Sequence, residues 1–252
     1  MKRPPISTIL ICKDNEEYIS KCIRSVSWTE EVIAVDSGSR DNTVEILRDL
    51  GVKTYFREWD GYRKQKEYAM SLAASDWILE IDTDEFLSEE LADEIQSLSE
   101  ESWAEYSCFK MPRLTHFLGK PVHHSGWYPD YKPRLYDRNR GRWVGTHIHE
   151  HFESDGKKAK LDGKLFHIPP WDIRSFLKRT IDYSILNAKG YRESGRKASI
   201  LDITVRPFYT FLYRFFIRRG FMDGRRGLLI CVTESFGVFL KYYLLRFGGV
   251  ED

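Results

Sequence analysis

The sequence predicts an α/β fold: a mostly parallel sheet with helices on both faces, followed by a C-terminal amphipathic helical extension. Two observations predict it. Over the first hundred residues short apolar runs alternate with segments of helical periodicity, which calls for right-handed crossovers and a sheet covered on both sides. Three of those runs end in an acidic or polar cluster, and ligands collect at the carboxyl ends of strands in such sheets.

Ile6–Cys12 is an apolar run that suits a strand buried on both faces. Asn15 then suits the cap of a helix whose Ile19, Cys22, Ile23 and Val26 fall at helical spacing. Val32–Val35 is a second strand ending at Asp36. Asp41 or Asn42 caps a second helix, which Gly51 stops. Val52–Phe56 is a third strand, Tyr62–Ala74 a third helix and Trp77–Ile81 a fourth strand that runs into Asp82. Glu89–Leu98 reads as a helix. Beyond about residue 104 the pattern changes: Ser107–Phe117 and Tyr131–Asp137 read as strands, and residues 123–152 are rich in Trp, Tyr, His and Pro. Ile173–Ala188 is helical, and so are Pro207–Phe221, with its proline in the first turn, and Leu228–Phe247. The expected division is residues 1–200, in two halves (1–100 and 101–200), and then a helical segment 201–252.

Hydrophobic residues make up 42% of the 252, enough for a sizeable core. The net charge of +1 hides an asymmetry: residues 1–156 carry 20 Lys+Arg against 29 Asp+Glu, and residues 157–252 carry 19 against 9. An acidic front half suits metal or nucleotide chemistry, and a basic back half suits an anionic surface. Cys12, Cys22, Cys108 and Cys231 form no CxxC pair, which points to a reduced compartment without a zinc or disulfide framework. The basic start reads as leading into a first strand rather than a signal sequence. No uncharged apolar window reaches the roughly 18 residues of a membrane span, so the expected location is cytoplasmic.

Asp82, Asp84 and Glu85 lie just past a buried strand. Carboxylates one residue apart on extended backbone point the same way and can share a hard cation, Mg²⁺ or Mn²⁺; a solvated turn capping the next helix is the plainer reading. Gly38 permits a tight turn after Asp36, whose carboxylate suits a ribose hydroxyl or a base N–H, unless the segment only caps a helix. His149 or His167 is suited to complete a metal site, since imidazole binds Mn²⁺-class ions. Lys66 and Arg63 suit a phosphate group or a solvated helix face. Arg134, with Trp127, Tyr128 and Trp143 nearby in sequence, suits an acceptor sugar, with aromatic core packing as the alternative.

These residues carry a resemblance. Ser7-Thr8-Ile9-Leu10-Ile11 with Asn15-Glu16, then Val35-Asp36-Ser37-Gly38-Ser39 with Asp41 and Thr43, then Ile81-Asp82-Thr83-Asp84-Glu85 resemble the family 2 inverting glycosyltransferases of GT-A fold. Gln65-Lys66, Trp77-Ile78-Leu79 and His149-Glu150 resemble the branch containing lipopolysaccharide-core β-1,4-glucosyltransferases. The resemblance implies a nucleotide-sugar donor, with UDP-glucose and a heptose-containing lipid core coming from the branch. It implies donor contacts at Asn15, Glu16, Asp36, Ser37, Gly38, Gln65, Lys66 and Asp82, and metal or ribose contacts at Asp82 and Asp84. It makes Glu150 the first choice of base for the acceptor hydroxyl, with Asp130 in reserve. Ser37 stands where a second Asp is common in the family, and Glu67 where an Asn is usual after Gln-Lys.

In the tail, Thr210, Arg214 and Arg218 recur every four residues on an otherwise apolar helix, with Arg219 beside them. Such helices pack on protein, form an oligomer or lie in a membrane interface with arginines on anionic headgroups; the last is the expectation here, with attachment to the inner face of the cell membrane. A sugar-1-phosphate nucleotidyltransferase would carry a glycine-rich phosphate loop after the first strand, where Lys13-Asp14-Asn15-Glu16 stands instead. A nucleic-acid surface fits poorly with arginines interleaved in an apolar face.

Overall fold

A computed structural model describes residues 3–145 and 151–248. The chain forms two compact units, Met1–Leu114 with Asp130–Ile168, and Thr115–Pro129 with Pro169–Asp252.

The first unit is built on strands β1 (Ile6–Cys12), β2 (Glu31–Asp36), β3 (Lys53–Phe56), β4 (Trp77–Glu80), β5 (Glu85–Leu87), β6 (Tyr106–Phe117, whose last three residues belong to the second unit), β8 (Asp130–Asp137), β11 (Lys157–Lys160) and β12 (Leu165–His167). Their order is β3-β2-β1-β4-β8-β6-β12-β5, with β11 beside β6. β3, β2, β1 and β4 run parallel. From β4 onward the sheet turns antiparallel through β8 and β6, as β5 does against β12. A separate ribbon pairs β9 (Gly141–Val144) with β10 (His151–Ser154). Helices α1 (Ile19–Ser25), α2 (Thr43–Asp49), α3 (Tyr62–Ser71), α4 (Glu89–Gln96) and α5 (Glu100–Glu105) join the strands.

The predicted parallel half is therefore present, for the reason expected: β1 and β4 are apolar enough to be buried along nearly their whole length, and Ile6, Ile9, Leu10, Ile78 and Leu79 lie in the core. Local details differ. Asn15 does not cap α1 with its side chain, which turns back to accept from Lys13 N at 2.9 Å. The strand Glu85–Leu87 replaces an expected loop, because β12 pairs with it some eighty residues downstream.

The second unit holds β7 (Lys120–Pro121), paired with the end of β6, and α6 (Ile173–Glu193), α7 (Ile200–Leu212) and α8 (Gly224–Phe247). Phe117, Val122, Phe176 and Ile230 form its core, with Trp127 and Trp171 against them. Pro207 lies inside α7 rather than in its first turn. The helix starts earlier because Ser199 and Asp202 form a reciprocal capping box. A π-helical turn, Tyr213–Ile217, follows α7, so the expected Thr210–Arg214–Arg218 stripe is broken. Arg214 turns inward to Ser125 O (2.7 Å) and Glu234 (3.3 Å), while Arg218 and Arg219 are exposed. Gly220–Phe247 is long and apolar enough to cross a membrane by length and composition, although Glu234 and Lys241 deny it a fully uncharged run.

Candidate functional site

Strand β1 sits between β2 and β4, with Cys12 level with Asp36 on one side and Ile9 level with Glu80 on the other. The chain leaves β4 through Ile81, whose N–H donates to Ile9 O at 3.1 Å. Asp36 and Asp82 therefore stand at the same end of the sheet, on either side of β1, about two strand spacings or ~10 Å apart. The loops after β2 and β4 therefore share one rim.

The loops after β1 and β2 are clasped to each other. Asp14 accepts from Arg40 N (2.7 Å), Glu16 from Asn42 N and Nδ2 (3.0 and 2.8 Å), and Asp41 from Glu16 N (3.0 Å), while Asn15 N donates to Thr43 Oγ1 (2.7 Å). Asn15 and Glu16 thus hold the rim in shape. Asp36 is nearly buried and accepts from Gly38 N (2.9 Å), Ser39 N (3.1 Å) and Ser39 Oγ (2.5 Å). The turn requires Gly38, at φ +89°. Ser37 Oγ accepts from the buried Gln65 (3.2 Å), which also donates to the backbone oxygens of Arg57 and Glu58. Beside this loop Phe56 is 72% exposed, its ring 3.8 Å from where a Cβ on Gly38 would stand, and a cavity of about 280 Å³ opens between Asp36, Arg48, Thr54 and Phe56.

Deeper in the same unit lies a network of alternating charges that the sequence reading missed. Arg134 is 7% exposed and its guanidinium joins Glu80 (2.7 Å), Glu85 (2.7 Å) and, by a short bond, Asp82. Lys66 bonds Glu80 at 2.6 Å and approaches Asp82 at 3.6 Å; Tyr136 donates to Glu80 at 3.2 Å. Arg113 links Glu85 (3.4 Å) to Asp130 (2.7 Å), and Lys132 bonds Asp130 at 3.1 Å. Four carboxylates meet four cations, as burial of charge requires. Burial alone would raise the Asp82 carboxyl, but Arg134 and Lys66 outweigh it and hold it well below the usual carboxylate range. Asp130 is likewise lowered, Arg113 and Lys132 overcoming its burial. The one available signal was Glu80, a carboxylate ending a fully buried strand, which demands buried partners. Arg134, expected at an acceptor, is instead committed to three carboxylates.

Asp84 escapes this network. Its Oδ2 lies 3.3 Å from His167 Nε2, with Asp84 partly exposed and the imidazole mostly buried. His167 ends β12 against Glu85 of β5. Neighbouring ligands about 2.1 Å from a six-coordinate ion stand about 3 Å apart, so this oxygen–nitrogen pair fits two adjacent positions on Mg²⁺ or Mn²⁺. Among the described residues no set of three or more His, Cys, Asp or Glu converges on one point. Glu150 and His149 lie outside the described residues. Trp143 is buried against Tyr136 and Phe152, in the core. Trp127 and Tyr128 belong to the second unit, where Trp127 Nε1 donates to Glu234 at 3.4 Å.

A family model described as glycosyl transferase family 2 matches residues 7–155. An uncharacterized glycosyltransferase of Rickettsia typhi is 33% identical over 96% of this chain and 86% of its own. The lipopolysaccharide core biosynthesis glycosyltransferase LpsC of Rhizobium meliloti is 27% identical over 98% of this chain and 97% of its own. Among solved structures, a glucosyl-3-phosphoglycerate synthase from Mycobacterium tuberculosis in complex with Mn²⁺, uridine-diphosphate-glucose and phosphoglyceric acid aligns with 45% of this chain and 44% of its own, at 19% identity and a TM-score of 0.35.

Proposed function

The chain belongs to glycosyl transferase family 2, and from that premise we propose that it transfers glucose from a UDP-linked donor to a glycolipid or saccharide, such as a lipopolysaccharide-core heptose, with inversion at the anomeric carbon. It is a glycosyltransferase; the donor, sugar and acceptor are the proposal. The name of the Rhizobium relative supports the core-saccharide reading. The observation that carries the donor site is the shared rim: a loop shaped by Asp36 and Gly38 on one side of β1 and Asp82-Thr83-Asp84 on the other.

In this reading Ser37, Gly38 and the exposed face of Phe56 receive the nucleoside, with Asp36 shaping their loop and Gln65 holding Ser37. Asp84 and His167 would hold a divalent cation, with His149 proposed from the sequence as a further ligand. When bound, such a cation would supply positive charge against the departing diphosphate. Lys66 and Arg134 keep Asp82 ionised and fixed in position, so its carboxylate would be available to the ribose or to a bound cation. Transfer with inversion needs a base opposite the leaving group. Glu150 takes that part; Asp130, clamped between Arg113 and Lys132 with a lowered pKa, is the poorer proton acceptor. The enzyme works at the cytoplasmic face of a membrane, where a lipid-linked acceptor resides.

The test is hydrolysis of a panel of nucleotide sugars with Mn²⁺, Mg²⁺ or EDTA. Release of UDP from UDP-glucose, lost in EDTA, supports the reading; turnover indifferent to the chelator overturns the cation, and a donor other than UDP-glucose overturns the donor. Glu150→Gln should abolish transfer while nucleotide binding survives. Near-normal turnover by that variant removes Glu150 from the mechanism.

A further inference from the structure

We infer that the second unit docks on the headgroup layer of an anionic phospholipid bilayer through the outer face of α8 and the turn that precedes it. The inference deepens the membrane location read above, and vesicle binding tests it without reference to sugar transfer.

A helix on the outside of a soluble unit turns polar side chains to water. Helix α8 does the reverse. It buries Gly227, Ile230, Cys231, Thr233, Leu244 and Leu245, and it exposes Leu228, Val232, Phe236, Phe239, Tyr243 and Phe247 by 37% to 58%. The exposed set advances by steps of four, four, three, four and four, which keeps it on one side of the helix. From Leu228 to Tyr243 no charge falls on that side, and the exposed Arg246 joins it beside Phe247. Its rings run on from one another, with centroids 6.3, 5.7 and 5.1 Å apart. The turn before α8 adds Phe216, Ile217, Phe221 and Met222, each at least half exposed. Together these side chains present on the order of 1,000 Å² of apolar surface, beyond the roughly 300–600 Å² of the largest patch on an ordinary monomer.

Charge identifies the occupant. Residues 200–248 hold eight Lys or Arg and three Asp or Glu. All three acids are engaged: Asp202 with Arg206 (2.5 Å), Glu234 with Arg214 (3.3 Å), and Asp223 with the N–H groups of His123 and His124. Exposed Arg218 and Arg219 stand among the apolar residues of the turn, and exposed Arg225 follows in the first turn of α8. A two-fold contact with a second copy would lay this positive patch against itself, whereas anionic headgroups complement it. The helix lies on the bilayer rather than crossing it, because it is tied along its length to charged helices. Ser184 donates to Gly237 O (3.0 Å), Ser235 to Pro207 O (2.7 Å) and Arg192 to Leu244 O (3.0 Å), and α6 carries Lys178, Arg179, Asp182 and Lys189. Those groups would be costly in hydrocarbon.

The experiment floats the full-length protein with vesicles of phosphatidylcholine alone and of phosphatidylcholine with phosphatidylglycerol. The expected result is binding to the anionic vesicles, release by high salt or alkaline carbonate, and little binding to the neutral ones. Arg218→Gln with Arg219→Gln should weaken binding about 25-fold, at the usual attraction per cation near such a surface. Phe236→Gln with Phe239→Gln should weaken it further at unchanged far-ultraviolet circular dichroism. If the phenylalanine variant misfolds, the arginine variant and the lipid comparison still decide. Equal binding to both vesicle types, resistance to carbonate, or no binding with a concentration-dependent dimer in light scattering overturns the inference.

Discussion

Replacing Arg134 by glutamine removes the cation shared by Glu80, Asp82 and Glu85. Three bonds of 2.7 Å or less go with it, and Lys66 and Arg113 are left to face three carboxylates. Glu80 and Glu85 are 4% and 0% exposed, so water cannot replace the lost partner. Breaking a buried ion pair from one side costs about 3–5 kcal/mol, a large share of the ~5–15 kcal/mol that stabilises a domain. At about 2–4 °C per kcal/mol for a chain of this size, the melting temperature should fall by about 10 °C. Arg134→Lys keeps the charge but not the planar fork and should fall by less. The assay is thermal unfolding by circular dichroism at one scan rate, with donor hydrolysis measured well below the transition. Because Arg134 also fixes Asp82, hydrolysis should drop even where the variant is folded. A melting temperature within about 2 °C of wild type would refute the reasoning, since it would mean that the three carboxylates do not depend on this guanidinium.

Asp84→Asn and His167→Ala should each weaken Mn²⁺ binding in the presence of UDP by tenfold or more, read by calorimetric titration; unchanged affinity in both removes the pair as ligands. Phe56→Ala should raise the KM for the donor about tenfold with little change in kcat, as loss of one aromatic face of about 1 kcal/mol or more would. Asp202 is drawn down to about 2 by the Ser199 backbone N–H and by Arg206. Its folded value lies below the ordinary carboxylate value, so its contribution to α7 is full above about pH 4 and lost as the pH falls through about 2. The gap in melting temperature between wild type and Asp202→Asn should therefore be present at pH 6 and shrink on acidification toward that value; a gap that widens would reverse the sign of the argument.

How much of this was legible depended on whether the deciding interaction was local. The parallel strands could be read because Ile6–Cys12 and Trp77–Ile81 are continuous apolar runs, and the carboxylates at their ends follow from the topology. Strand Glu85–Leu87 could not, since three residues carry no period and their partner is Leu165–His167. The same long-range pairing brings His167 to Asp84. Asn15 and Glu16 have the residue types of ligand contacts, but they meet backbone and side chains of the 39–43 loop, a pairing visible only once β1 and β2 are adjacent. Arg134 has the chemistry of an acceptor clamp, and only the register of β8 on β4 places it over Glu80. In the tail, periodicity carried the polar stripe through Arg214, and the π-helical turn shifted the register at that residue.

The most direct measurement is calorimetric titration of UDP into the protein with Mn²⁺ and then with EDTA, for wild type and for Asp84→Asn. If the loops after β2 and β4 form one site for nucleotide and cation, wild type binds UDP tightly only with Mn²⁺ and the variant loses that dependence. Equal UDP affinity in Mn²⁺ and EDTA would contradict it.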